Sequence, residues 1–189
     1  MDDNRSRLLD CALDLFAARG YDAVGVQEVV EAAGITKPTL YHYFGSKGGL
    51  LRTLLDEGFA PLFAALEPAC AYDREVAPSL RAAAGVYFSF ARRSPRFYRM
   101  QLSMSFAPLE SGAYQAIRPL YERQQAVLEA FFARAEQDHG NMRGRKSAYA
   151  ASFLGMLNTY IALGLSEGIA LDEELTRRAV HQFMHGIFS

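Results

Sequence analysis

The stretch that most constrains this chain runs from Gly25 to Lys47, GVQEVVEAAGITKPTLYHYFGSK. Val26, Val29, Val30 and Ala33 recur at the three-and-four spacing of an inward helical face, and Gly34 stands where a C-cap glycine ends such a helix. Thr36 is placed to cap the next helix with its hydroxyl. Pro38 in the first turn loses no hydrogen bond, because that amide would be unpaired anyway. The pattern predicts a helix over 26–33, a three-residue turn and a second helix starting near Lys37.

In that second helix Leu40 and Phe44 lie one turn apart and point inward over Ile35, while Lys37, Thr39, Tyr41 and His42 fall on the other faces. This is the pattern of a helix-turn-helix, whose second helix enters the major groove with its N-terminal residues at base edges and flanking groups on phosphates. The residue types suit both tasks. Thr39 brings a hydroxyl and a methyl to base edges beside Lys37, and Thr36, Tyr41, His42 and Lys47 bring phosphate donors. Tyr43 either shares that backbone role or is buried.

Over Ala12–Lys47, ALDLFAARGYDAVGVQEVVEAAGITKPTLYHYFGSK, the sequence resembles the TetR family of bacterial one-component transcriptional regulators. The matching features are Phe16 before Gly20-Tyr21, the Ala-Ala-Gly turn, Thr-Leu-Tyr-His-Tyr-Phe, and Ser-Lys opening the next helix. The resemblance implies an all-α chain of about nine helices: a DNA-binding domain over 1–46, with its motif at about 25–45, and an effector-binding and dimerisation domain over 47–189. It implies a regulator of transcription, a repressor that leaves its operator when a small effector fills the body. Two departures matter. Gly25 replaces the usual Ser or Thr, so the phosphate contact at that helix start passes to Gln27, and Glu28 favours the positive helix end. Gly48 and Gly49 replace helix-favouring residues, and the pair reads as a soft joint that eases a pivot of the reading head.

Charge alone does not point to DNA. The chain carries a formal net charge of -1, and residues 1–52 hold six Lys/Arg (Arg5, Arg7, Arg19, Lys37, Lys47, Arg52) against seven Asp/Glu. Affinity must come from a few placed cations and helix N-termini, which implies a modest salt slope. At 189 residues and 50% hydrophobic, the chain can bury a real core. The charged start MDDNRSRLLD is unlike a signal peptide, and Cys11 and Cys70 have no CxxC spacing; both point to a cytoplasmic protein with unpaired thiols.

Beyond residue 50 no strand alternation occurs, and Pro and Gly signals divide the chain into five or six further helices: 50–66, 79–93 and 96–106, then 111–138 with Pro119 either kinking it or marking its start, 145–167 and 172–188. The 18 residues Ala148–Leu165 are apolar enough to reach the lower limit of a membrane span. Central Ser152, Asn158 and Thr159 and the small stripe Ala151, Gly155, Asn158, Ala162 favour a packed helix instead, with no membrane partner. By the resemblance, this helix and the last one, about 145–188, pair with those of a second subunit. The last helix contributes Leu175, Ala179, Phe183 and Ile187. A twofold dimer also follows from two reading helices entering successive major grooves roughly 34 Å apart, so the operator should be near-palindromic.

The middle helices carry large adaptable apolar groups. Tyr87, Phe90, Phe97, Met100, Met104, Tyr114 and Tyr121, with the sparse polar Gln101, Arg118 and Asn158, can line a cavity for a largely apolar effector, although aromatic stripes also simply fill bundles. No catalytic residues, cofactor or metal are expected. His181 and His185 have a two-ligand spacing but no HExxH or third ligand nearby, and no phosphate loop or nucleophile elbow stands out. The alternative is an all-helical enzyme or ligand-binding protein that only carries a helix-turn-helix.

Overall fold

The computed structural model describes residues 2–186, and among them the chain forms nine α-helices, one short 3-10 turn and no strand. The helices are α1 (Asp2–Arg19), α2 (Val26–Ala33), α3 (Lys37–Phe44), α4 (Lys47–Ala69), α5 (Val76–Arg93), α6 (Pro95–Ser105), α7 (Gly112–Asp138), α8 (Lys146–Glu167) and α9 (Glu173–His185). The all-α expectation holds, and α2 and α3 have the limits that their cap signals imply. Gly34 adopts the left-handed conformation, φ 63°, that ends α2.

Two boundaries differ from the sequence reading, and at Pro119 one of its two alternatives holds. α5 starts at Val76 rather than Ser79, because Pro78 is tolerated in a first turn and the Ser79 hydroxyl donates to the Glu75 carbonyl, 3.2 Å away, instead of capping. α4 runs through Glu67-Pro68 to Ala69, absorbing Pro68 in its last turn and Pro61 in its interior. α7 contains Pro119 rather than starting at it; Ser111 caps it, with its Oγ accepting from the Tyr114 amide at 3.1 Å.

By packing, the chain divides into two compact units. The first takes the residues as far as Ala60 with Arg96–Leu120; the second takes Pro61–Pro95 and the chain from Tyr121. This division does not follow the functional boundary drawn at residue 46, because the first turns of α4 are tied to the head. Leu50, Leu51, Leu54 and Leu55 are buried, and Glu57 pairs with Arg5. In the head itself α1 packs on α2 and α3, and α2 on α3, with Leu8, Ala12, Phe16, Val29, Ala33 and Leu40 buried.

In the second unit α5 lies against α8 and α9. α9 starts at an Asp172 cap, whose carboxylate accepts from the Leu175 amide at 2.8 Å. Leu175, Thr176, Ala179 and Val180 are its buried residues. Leu175 and Ala179 therefore belong to this chain's own core and are not available to a partner, a correction to the dimer face read from periodicity. Phe183 is half-buried against Phe132, Tyr149 and Phe153, and Ile187 lies outside the described residues. On α8 the stripe residues Ala151, Gly155 and Ala162 are exposed, as are Ser152 and Thr159, whereas Asn158 is half-buried. α8 is long and apolar enough to cross a membrane, and only 28% of its most apolar window is buried in its own chain.

One glycine tests the packing of the first unit directly. A methyl at Gly58 would collide with the Phe97 ring, which stands edge-on to Phe59 with centroids 5.2 Å apart. Gly58→Ala is expected to destabilise the protein by about 1–3 kcal/mol through overpacking, read as a lower urea midpoint with unchanged slope.

Candidate nucleic-acid interface

The interface is built on α3, an eight-residue helix held from below by fully buried Leu40 and by Phe44. Burying those two side chains turns the other faces outward. Lys37 is exposed and no carboxylate pairs with it among the described residues; Tyr41 is 47% exposed, and His42 is exposed beside the half-buried Tyr43, ring centroids 5.4 Å apart. Tyr43 is thus neither fully buried nor fully presented. Thr36 occupies the N-cap position, but its hydroxyl caps no backbone amide. Instead Thr36 Oγ1 and Thr39 Oγ1 lie 2.9 Å apart and share a hydrogen bond. That pairing corrects the capping role read for Thr36, and it ties the Thr39 hydroxyl to its neighbour with either oxygen able to donate.

α2 and α4 start on either side of α3. At α2, Gly25 has no side chain to cap with, and the Glu28 carboxylate reaches back to accept from the Gly25 amide at 2.9 Å. That bond and the Arg19 guanidinium hold the Glu28 carboxyl below the usual range. Gln27 is exposed but bonded to Glu31 on its own helix, so it must exchange that partner to reach a phosphate. At α4, Ser46 Oγ accepts from the Gly49 amide at 2.9 Å, and Lys47 stands at the first turn. The Lys47 ammonium lies 4.1 Å from the centre of the Tyr21 ring; burial pulls its pKa down, against the raising pull of Asp22 and Glu28.

The head's other cations are largely occupied at home. Arg5 pairs with Glu57, Arg19 with Glu28, and Arg7 donates to the Ala33 carbonyl at 2.6 Å. Lys37 and Lys47 remain at two helix N-termini, with Arg52 exposed one turn further along α4. Sequence reading missed Tyr21, the ring under Lys47. Its only signal was an aromatic following Gly20, whose φ of 82° turns the chain sharply out of α1.

The joint at Gly48-Gly49 is not uniformly soft. Gly48 has room, with nothing closer to an added methyl than 3.7 Å, but a methyl on the buried Gly49 would run into the Phe44 carbonyl oxygen. Gly49 lets the end of α3 pack against the start of α4, so it fixes the corner instead of loosening it.

The ten effector candidates fall in both units. On α6, Phe97, Met100, Gln101 and Met104 are buried, and Gln101 Oε1 has no hydrogen-bond partner; on α7, Tyr114 is half-buried and Arg118 exposed. In the second unit Tyr87 and Phe90 are buried and Tyr121 and Asn158 half-buried. Tyr87 donates to Gln124 Oε1 at 3.1 Å, and Asn158 donates to Tyr121 Oη at 3.3 Å. The buried Gln124, whose Nε2 has no partner, joins this group although the sequence did not single it out. An open groove of about 800 Å³ between α5 and the start of α9 contains none of the ten. Arg81, Arg92 and Arg177 line it with Asp172, Glu173 and Glu174, beside Ala82, Gly85 and Phe88. Cys70 is buried, which pushes its thiol up to about 12, and neither cysteine is in a disulfide. The His181 and His185 rings lie 4.6 Å apart on α9, and no group of three potential metal ligands occurs among the described residues.

Two predictions follow from this geometry. Thr39→Ala should relax preference at particular base positions while leaving the salt slope unchanged, whereas Lys47→Ala should weaken all duplexes alike and reduce the slope by about 0.9; anisotropy titrations across salt separate the two. Gly48→Ala should leave duplex affinity intact and stabilise the chain by up to about 1 kcal/mol, while Gly49→Ala should lower both affinity and thermal midpoint.

Residues 8–54 match the family of bacterial regulatory proteins, tetR family. The HTH-type transcriptional activator FasR of Mycolicibacterium smegmatis is 25% identical over 185 residues, covering 98% of this chain and 83% of that protein. The HTH-type transcriptional repressor ComR of Escherichia coli is 26% identical over 178 residues, covering 90% and 83%. The fold is shared with the transcriptional regulator FadR of Bacillus subtilis, solved in complex with stearoyl-CoA, at a TM-score of 0.79 and 18% identity, over 96% of this chain and 98% of that one. The reading helix, its two flanking helix starts and this match make residues 8–54 a DNA-binding domain of the TetR family, and the chain a transcriptional regulator built on it.

Proposed function

We propose that the protein is a cytoplasmic homodimeric repressor that holds a near-palindromic operator and releases it when a largely apolar effector, of the long-chain acyl thioester class, enters the body. The observation that carries the DNA half is the outward set of exposed Lys37, Tyr41 and His42 with half-buried Thr39 among them, on a helix anchored by Leu40 and Phe44. Repression is the sign that the resemblance to this family implies. FasR and ComR carry opposite signs, so kinship alone does not decide this point.

The effector class is supported by the aromatic and methionine side chains of α5, α6 and α7, and by the shared fold of a regulator that binds stearoyl-CoA. The dimer is supported by α8, whose small exposed residues allow another helix to approach closely. Such an effector acts only through its preference for the conformation in which the two heads are mis-spaced, and by linkage it weakens DNA binding by the same factor.

The test is selection of bound sequences from a random duplex pool, with the mass in solution measured alongside. The expected result is an enriched palindrome with half-sites about 10 base pairs apart or a multiple of that, a dimeric mass, and at least tenfold weaker operator binding in stearoyl-CoA. A folded dimer that enriches nothing and turns over an added acyl thioester would instead establish the all-helical enzyme reading.

A further inference from the structure

We propose that Tyr21 is the positioning residue for the phosphate contact of Lys47, and that the first turn of α7 sets where Tyr21 stands. The proposal rests on the DNA-binding role of Lys47 argued above. Three elements converge on this one ring. Phe16 of α1 meets it edge-on, with centroids 5.1 Å apart and planes at 77°. The Lys47 ammonium of α4 sits 4.1 Å from its centre. Gly112, the first residue of α7, lies so close that an added methyl would stand 3.0 Å from Tyr21 Cε1 and 3.5 Å from Asp22 Oδ1.

Each contact has a consequence for the ammonium. A free lysine chain samples many rotamers, and a phosphate contact must order it. Over the ring, the ammonium is already localised by the negative face of the π system, so less order remains to be imposed on binding. Asp22 and Glu28 add attraction from the side, and the partial burial of Lys47 agrees with a held group rather than a waving one. The ring in turn cannot shift toward α7, because the Gly112 backbone occupies that side, and α7 is pinned there by its Ser111 cap.

α7 is therefore more than a neighbour of the reading head. The same helix continues to Asp138 and carries Tyr121 and Gln124 of the proposed effector region. A displacement of its first turn would move Tyr21 and, with it, the Lys47 ammonium. The absence of a side chain at position 112 is what permits the close seat, since Gly112 itself has no left-handed φ to require glycine.

The experiment measures binding of the full chain to a random-sequence duplex across a salt series, with thermal midpoints as the fold control. Tyr21→Phe should bind within about twofold of wild type, because ring and stacking persist. Tyr21→Leu should lose about five- to tenfold, its salt slope should fall toward that of Lys47→Ala, and adding Lys47→Ala to it should cost little more. Gly112→Ala should weaken binding in the wild-type background and have no effect on top of Tyr21→Leu, where the shorter side chain leaves room.

An additive Tyr21→Leu and Lys47→Ala pair, or a Tyr21→Leu loss with an unchanged salt slope, would mean that Tyr21 only supports the fold, and the proposal falls. Gly112→Ala binding like wild type would remove α7 from the argument and overturn that half. A folded wild-type chain that binds no duplex at all would overturn the DNA reading and this proposal together, an outcome distinct from failure of the variants alone.

Discussion

An eight-residue helix has no stability of its own in water, because nucleation costs more than so few hydrogen bonds return. α3 exists only because Leu40 and Phe44 are buried against the rest of the head, where α1 and α2 pack on it. Everything the reading face does depends on that burial. It fixes the rotation of α3, hence which side chains are outward, and through Gly49 it fixes the corner from which α4 and Lys47 depart. The hydroxyl pair of Thr36 and Thr39 adds local order at the N-terminal end of α3, the end proposed to meet base edges, at the cost of an ordinary cap.

The passage from the first compact unit to the second falls at proline each time. It lies at Pro61 inside α4, at Pro95 opening α6, and just past Pro119 inside α7. A proline inside a helix removes the hydrogen bond from its own nitrogen and crowds the carbonyl four residues earlier, so each crossing helix is weakest where it changes unit. This placement explains why both helices survive intact while the chain still separates into two packing groups.

Much of this was legible in the sequence, and the failures have identifiable causes. The limits of α2 and α3 could be read because Gly34 and Pro38 are unambiguous punctuation, and Leu40 and Phe44 because their spacing admits one inward face. Thr36 was misjudged because a hydroxyl chooses among partners only in three dimensions, and Thr39 was nearer than an amide. Leu175 and Ala179 were assigned to a partner because periodicity identifies an apolar face without saying whose core covers it; here α5 of the same chain does. Gln124 could not be found at all. A glutamine beside Gln125 and Arg123 in a 27-residue helix looks solvent-facing, and only packing reveals that it is 3% exposed with an unmet hydrogen bond.

The charge economy of the head bears on how such a regulator responds. Of the six cations in residues 1–52, Arg5, Arg7 and Arg19 bond to partners in the same compact unit, and Lys47 is partly neutralised in effect by Asp22 and Glu28 beside it. One head therefore neutralises few phosphates, and its affinity alone is modest. In the proposed dimer, strong binding must come from two heads engaging at once, where the second contact is nearly intramolecular. That advantage depends steeply on geometry. A change in head spacing, or a displacement of Lys47 from its place over Tyr21, forfeits an affinity that a strongly basic head would retain. A nearly neutral reading head is thus well matched to control by an effector, since the weaker each single contact is, the less coupling free energy is needed to clear the operator.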